Sequence, residues 1–321
     1  MTYYPIIIPT LNRYEHFRRC VESLARNTHA DKTELVIGLD FPPSSKYEEG
    51  HRKIKEYIPS IRGFKKVTLF ERKENYGAYR NGLALREYVF QNYDAVITTE
   101  DDNEFAPCFL DYTNKMLEHY GNDERVASIS GFLPTDFYGM SETGILFTKE
   151  SNGWGNGIWR DKHPDEDERY EIVETIPYSL KSSWRSLITC PSSFRMLLSM
   201  VSTHKRWGDI SRTQVNIFNN LYQVRPAISL CRNWGIDGTG VNCDNNRNTY
   251  NRFIHQQISS DKTFSVPTNW DIYYPKSVAR ATFWINWPKN KLIFFMKFCI
   301  TIVKYIAFRL KKQNPCTQDS K

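Results

Sequence analysis

Apolar and polar residues fall in alternating blocks along roughly the first hundred positions, and each block has the length of one element. The stretch Pro5–Pro9 holds three consecutive isoleucines, the pattern of a strand covered on both faces. In "TLNRYEHFRRCVESLARN" the apolar residues Phe17, Cys20 or Val21, and Leu24 recur at helical spacing, while Arg18, Arg19 and Glu22 face away. Asn12, with Glu15 three residues on, is placed to cap that helix. "ELVIGLD" predicts a second buried strand ending at Asp40 before the breaker "FPPSS", and Lys46–Tyr57 a second helix. "KKVTLFER", "GAYRNGLALREYVFQ" and "AVITT" then predict strand, helix and strand. From Gly131 onward this periodicity fades and Gly, Trp and Asn accumulate, as in loops that bind a ligand. No internal repeat is visible.

Strands alternating with helices predict right-handed crossovers and an α/β fold with a mostly parallel, Rossmann-like sheet. Ligands of such sheets bind beyond the carboxyl ends of the strands. Thr10 to Arg13, Asp40 and the acids Glu100, Asp101 and Asp102 all fall at that edge. Adjacent carboxylates repel, so this triplet is either a solvated acidic turn or a site that holds a cation. An all-oxygen donor set suits Mg²⁺ or Mn²⁺, shared with a diphosphate whose departure the cation assists.

Charge narrows the function further. The 321 residues carry a formal +7, yet eight basic residues and a single acid lie from Lys289 onward. The preceding 288 residues are therefore neutral overall, and no basic footprint for nucleic acid lies on the body of the chain. Seven cysteines without C-x-x-C spacing argue against disulfides or zinc, and Cys20, Cys108, Cys190 and Cys243 read as small buried thiols. The start, "MTYYPIIIPTLNRY", lacks a basic n-region and a long apolar run, so a cytoplasmic location is expected. "HPDEDER", His163 to Arg169, reads as a solvated charged stretch.

Three stretches carry a resemblance: "PIIIPTLNRYEHFRRCVESL", "NYGAYRNGLALREYVFQNYDAVITTEDDNEFAPCFLDYTNKML" and "RPAISLCRNWGIDGTGVNC". Over residues 3–245 the chain resembles bacterial family-two-like glycosyltransferases of the GT-A fold, with features of the N-acetylglucosaminyltransferase-I type. The last stretch is similar to capsule and lipopolysaccharide transferases. The resemblance implies that Asp102 is the metal ligand and that Glu100 and Asp101 orient nucleotide, ribose or sugar. It implies that Thr10, Arg13, Asp40 and Arg80 hold the nucleotide and diphosphate. "NGWGNGIW" would floor the sugar sites through Trp154, Gly155 and Trp159, and "KRWGD" would supply Trp207 and the catalytic base Asp209. "NWGIDGTG" reads as a turn in which Asp237 lines the site. The chain departs from these relatives at Ala78 and Asn242, where they carry histidine, and at Gly208, where the N-acetylglucosaminyltransferase-I type has an acid.

The implied reaction is a single displacement with inversion. An acceptor hydroxyl, deprotonated by Asp209, attacks the anomeric carbon of a nucleotide sugar, UDP-linked by resemblance, as the nucleoside diphosphate leaves. The implied acceptor is a surface glycan or its lipid-linked precursor, and the implied cofactor is Mn²⁺ or Mg²⁺. Two alternatives stand beside it: a sugar nucleotidyltransferase, for which "PTLNRYEHF" lacks a Gly-rich loop, and a catalytically silent glycan-binding scaffold.

The expected organisation is a catalytic domain over residues 1–265, with a nucleotide-sugar half to about residue 130 and an acceptor half over 131–265. A linker over 266–288 follows, then a basic helix over 289–312 and a disordered tail over 313–321. The helix is long enough to span a bilayer, but Lys297 and Lys304 interrupt it. These and Lys311 are seven residues apart and share one line along a helix, and Trp284 and Trp287 precede it. A helix lying on an anionic membrane fits this pattern, peripheral at the inner face of the cell membrane, with packing on the catalytic domain as the other reading.

Overall fold

The computed structural model describes residues 1–162, 166–240, 255–279 and 291–313. The chain forms two compact units that interleave in sequence. The first comprises Met1–Leu146, Gly153–His163 and Gln223–Asp271; the second comprises Phe147–Asn152, Pro164–Tyr222 and Ile272–Lys321. Asn242, Cys243, Trp284 and Trp287 lie outside the described residues, as do residues 280–288 of the expected linker and 314–321 of the tail.

The first unit follows the order read from the pattern. Strands β1 (Ile6–Thr10), β2 (Glu34–Leu39), β3 (Lys66–Glu71) and β4 (Ala95–Thr98) alternate with helices α1 (Tyr14–Ala25), α2 (Glu48–Tyr57) and α3 (Gly77–Phe90). A short strand β5 (Asn103–Phe105), helix α4 (Phe109–Tyr120) and strands β6 (Val126–Ser130), β7 (Ile145–Thr148) and β8 (Asn156–Trp159) follow. Later come β9 (Tyr222–Pro226) and β10 (Cys231–Asn233). The eight-stranded sheet runs β3-β2-β1-β4-β8-β6-β9-β7, and a separate pair joins β10 to β5.

Strands β3, β2, β1 and β4 are parallel, while β8 runs antiparallel to both β4 and β6. The sheet is thus parallel where βαβ crossovers build it and changes direction at β8. Ile6, Ile7 and Ile8 are all buried, as expected of a strand covered on both faces. Ile7, Val36 and Val96 meet Leu85 and Val89 of α3 in one apolar cluster. The buried positions of α1 are Phe17, Cys20, Val21 and Leu24, with Ser23.

Asn12 does not cap α1 through its side chain. Its backbone oxygen instead accepts from the Tyr14 N–H, and Arg13 occupies the capping position. That single shift frees the Arg13 side chain to point elsewhere. Among the described cysteines, Cys20, Cys108, Cys190 and Cys231 are buried free thiols and Cys299 is a half-buried one.

The second unit is helical, although most of it falls where the periodicity of the sequence fades. It contains helices α5 (Glu166–Thr175), α6 (Leu180–Thr189), α7 (Pro191–Thr203) and α8 (Gly208–Phe218), and the last helix, α9 (Lys291–Gln313). Tyr170, Val173, Leu187, Phe194, Leu197 and Ile210 form its core. Helices α5 to α8 are only 10–13 residues long, so packing against one another is what makes them stable, and periodicity alone is a weak signal. Arg169 is also buried, with its Nε donating to Ser211 Oγ at 2.9 Å. The "HPDEDER" stretch is therefore not wholly solvated.

Candidate active site

Strand β4 is buried, and the chain turns sharply after it, carrying Asp101 and Asp102 into the interior while Glu100 stays exposed. The two buried carboxylates face the end of β1. Thr10 Oγ1 donates to Asp101 Oδ2 at 2.8 Å. Arg13, released from the first turn of α1, bridges both acids: Nη2 to Asp101 Oδ1, and Nη1 to Asp102 Oδ2 at 2.8 Å. Burial pushes the Asp101 carboxyl above its ordinary range, opposed by Arg13 and reinforced by Asp102. Burial works against the charge of Arg13, but the two carboxylates outweigh it and raise its pKa. Two acids against one guanidinium leave this pocket with an excess of negative charge.

The other wall of the site comes from β10, about 130 residues further along the chain. Pairing of β10 with β5 places Asn233 opposite Asn103. Asn233 Nδ2 donates to Asp102 Oδ1 at 2.7 Å and to Asn103 Oδ1 at 3.0 Å. The Trp234 N–H donates to the Asp102 backbone oxygen at 2.9 Å. Gly235 follows, and a Cβ there would overlap Asp102 Oδ2 and lie 3.0 Å from Arg13 Nη1. Asn233, Trp234 and Gly235 stand inside the "RPAISLCRNWGIDGTGVNC" stretch, where the sequence points to a turn and to Asp237 but not to these three side by side with Asp102. An Asn followed by Trp-Gly is the available signal, because a Gly where backbone meets a charged side chain marks close approach.

Asp237 joins the site through His16, whose Nε2 lies 3.1 Å from Asp237 Oδ2 and 3.3 Å from the Trp234 oxygen. Its other oxygen accepts from the N–H and Oγ1 of Thr239, as the expected turn requires. Asp40 is tied to Thr10 by a backbone hydrogen bond of 2.9 Å. Its Oδ1 accepts from the N–H groups of Phe41 and Tyr76, so it also fixes the loop that enters α3. Arg80, in the first turns of α3, is exposed, pairs with Glu74 at 3.2 Å and stacks 3.9 Å over the Tyr76 ring.

The "NGWGNGIW" loop contributes unevenly. Gly153 packs beside the Glu100 carboxylate. Trp154 is half-buried with its ring edge-on to Phe132. Gly155 takes a left-handed φ of 68°, and a Cβ there would sit 2.7 Å from Phe105, so glycine is required on two counts. Trp159 is a core residue, 5 % exposed, with its Nε1 donating to Leu117 O at 3.2 Å and Lys162 over its ring. It offers no open face to a sugar.

The structure thus gathers Thr10, Arg13, Asp40, Asp101, Asp102 and Asp237 along one edge of the first unit, with Glu100 beside the Trp154 loop. Asp209 and Trp207 belong to the second unit. Asp209 stands in the first turn of α8, with Oδ1 accepting from the Ile210 N–H at 3.0 Å. The carboxylate reaches solvent from crowded surroundings, and the resulting desolvation raises its pKa against that hydrogen bond and Arg212. Trp207 is half-buried against the core of this unit.

The acidic pocket fits a hard divalent cation in kind: its donors are oxygens, and its charge is in excess. Asp102 would hold the ion, which would supply neutralisation of a departing diphosphate. Among the described residues no group of three or more His, Cys, Asp or Glu side chains converges, so water and diphosphate oxygens would complete the shell. Arg13 is the cation that these carboxylates hold in this structure.

No protein-family model and no curated protein matches the chain. Among solved structures it is similar to a mannosyltransferase, PcManGT from Pyrobaculum calidifontis in complex with GDP-Man and Mn²⁺, at 14 % identity, covering 68 % of this chain and 74 % of the other with a TM-score of 0.37. It is also similar to residues 1–349 of S. aureus TarS, at 15 % identity, covering 50 % and 47 %, with a TM-score of 0.34. The chain spans about half the length of that TarS fragment. The same fragment in complex with UDP aligns at 10 % identity over 68 % and 71 %, with a TM-score of 0.37. Likenesses this loose carry no argument about the reaction.

Proposed function

We propose that this chain is a glycosyltransferase that moves a sugar from a nucleotide-sugar donor, UDP-linked, to a hydroxyl of a surface glycan, with inversion and with the aid of Mn²⁺ or Mg²⁺. The observation that carries the reading is the pair of buried carboxylates, Asp101 and Asp102, at the carboxyl end of a parallel strand. Buried acids are costly unless a cation answers them, and this edge of the sheet is where α/β folds bind nucleotides. Thr10, Arg13 and Asp40 supply donors and an acceptor around a nucleoside diphosphate, and Arg80 stands ready for its phosphates. Glu100 and the Trp154 loop offer an exposed acid and an aromatic edge to a sugar. The base is assigned to Asp209, whose raised pKa makes it a stronger proton acceptor than an ordinary Asp.

Purified protein incubated with each common UDP-, GDP- and CMP-sugar and Mn²⁺ should release nucleotide from one donor. Asp102→Ala and a chelator should each abolish that release. Absence of both binding and release with every donor would favour the second reading, a silent scaffold. The bridging of both acids by Arg13 is the observation on its side.

A further inference from the structure

The last helix has three faces. Toward the second unit, Phe298, Ile302, Tyr305 and Phe308 pack on the core built by α5 to α8. Tyr305 meets the Phe194 ring at 5.5 Å, Phe308 meets Tyr178 at 5.4 Å, and Arg309 donates to the Tyr178 oxygen. The expected helix is therefore docked on its own chain, but only through part of its circumference. Phe295, Met296, Ile300, Val303, Ile306 and Leu310 remain 48–64 % exposed. At about 100° per residue these positions sweep one continuous arc, shared with Cys299 and Ala307 and free of any charge. Exposed Lys304 borders the arc, and Lys297 and Lys311 share its line at seven-residue spacing.

A single exposed leucine is ordinary, whereas a row of six large apolar side chains on one helix is an interaction surface. A second row, Leu180, Trp184 and Ile188 on α6, is also exposed, with Lys181 and Arg185 beside it. It begins two residues after Tyr178, next to the end of α9. Charge selects the occupant. Residues 291–313 hold six basic side chains and no acid, on a chain whose first 288 residues are neutral. Self-pairing of this face would bring like-charged lysine rows together. A bilayer of anionic lipid meets both halves of the pattern, taking apolar side chains into its acyl boundary and lysines among its phosphates.

We propose that the outer face of α9 is a docking surface for an anionic membrane, on which the helix lies in the interfacial plane while its inner face stays fixed to the second unit. Among the described residues no helix is long and apolar enough to cross a membrane, which agrees with a surface position.

Full-length protein is sedimented with vesicles of phosphatidylcholine alone, or with roughly a third phosphatidylglycerol. Wild type should pellet with the anionic vesicles and at least about tenfold less with the neutral ones, since each lysine near such a surface adds roughly fivefold in partition. Val303→Ser/Ile306→Ser/Leu310→Ser should lose binding by more than about tenfold, because burial of three apolar side chains is removed. Lys297→Glu/Lys304→Glu/Lys311→Glu should erase the preference for anionic lipid. The substituted apolar positions are exposed, so an unchanged melting temperature is expected; if that variant fails to fold, the lysine variant carries the test. Wild type that ignores anionic vesicles, or variants that bind as wild type does, would overturn the proposal. A concentration-dependent dimer, lost in the apolar variant and without vesicle binding, would assign the face to a second copy instead. Vesicle binding is read without turnover, so this result and the donor screen can fail independently.

Discussion

Arg13 Nη1 and Asp102 Oδ2 lie 2.8 Å apart, and the same guanidinium also holds Asp101. The residue expected to grip the nucleotide and the residue expected to bind the metal are thus partners before either ligand arrives. A divalent cation on Asp102 has to share or displace that contact. Removing one partner of a buried ion pair costs on the order of 3 kcal/mol, because the remaining charge is left without an answer. Arg13→Gln should therefore melt lower than wild type, and Mn²⁺ should restore more stability to the variant than it adds to wild type. Thermal melts with and without Mn²⁺ check this, and melts of both proteins that ignore the ion would remove the metal site.

Gly235 packs against that pair from just beyond β10, where a Cβ would overlap Asp102 Oδ2. Gly235→Ala should push Asp102 away from Asn233 and Arg13, lowering stability by about 1–3 kcal/mol, as overpacking does. Metal-dependent nucleotide release should fall far more than this stability change implies. Denaturant unfolding and the donor assay, run on the same preparation, separate the two effects.

Asp209 gives a pH test. A general base works only as the carboxylate, and desolvation raises the Asp209 pKa above the ordinary value of about 3.9. Activity should therefore fall on acidification through a pH higher than an ordinary aspartate would give. Asp209→Asn should lower kcat by about a hundred- to ten-thousandfold with donor affinity retained. A wild-type level of turnover in Asp209→Asn would place the base elsewhere.

Lys149 offers a stability test within the second unit. Its Nζ donates to Asn220 Oδ1 at 2.8 Å and to the Leu221 oxygen at 3.1 Å, and lies 3.5 Å from the Tyr222 ring centroid. Burial, followed by the charge of Arg185, pulls its pKa down to about 8. Between about pH 8 and the unfolded value of about 10.4, the unfolded chain binds the extra proton, so this group's contribution to stability rises with pH. Wild type should gain stability relative to Lys149→Met from about pH 7.5 to about 9.5, a window that spans the folded pKa. Urea unfolding at both pH values measures it, and a constant difference would place the Lys149 pKa at its ordinary value.

The sequence by itself determined the order of strands and helices through β4, because each is a local pattern of period two or 3.6 or a continuous apolar run. It also placed Thr10, Asp40, Asp101 and Asp102 at one sheet edge, since parallel crossovers bring every strand to the same carboxyl end. The helices between Glu166 and Phe218 were less legible: they are short and become stable only on each other. Nor could spacing show that Arg13 turns from the cap of α1 toward two acids, or that Asn233 and Gly235 close on Asp102 from β10. Trp159, a sugar platform by motif, became core because β8 enters the sheet between β4 and β6. The final helix shows the same division. Its length and lysine period are local, whereas which apolar residues pack and which remain open depends on where the α5 to α8 core meets its circumference. Local pattern sets elements, and long-range burial decides which side chains each element has left to use.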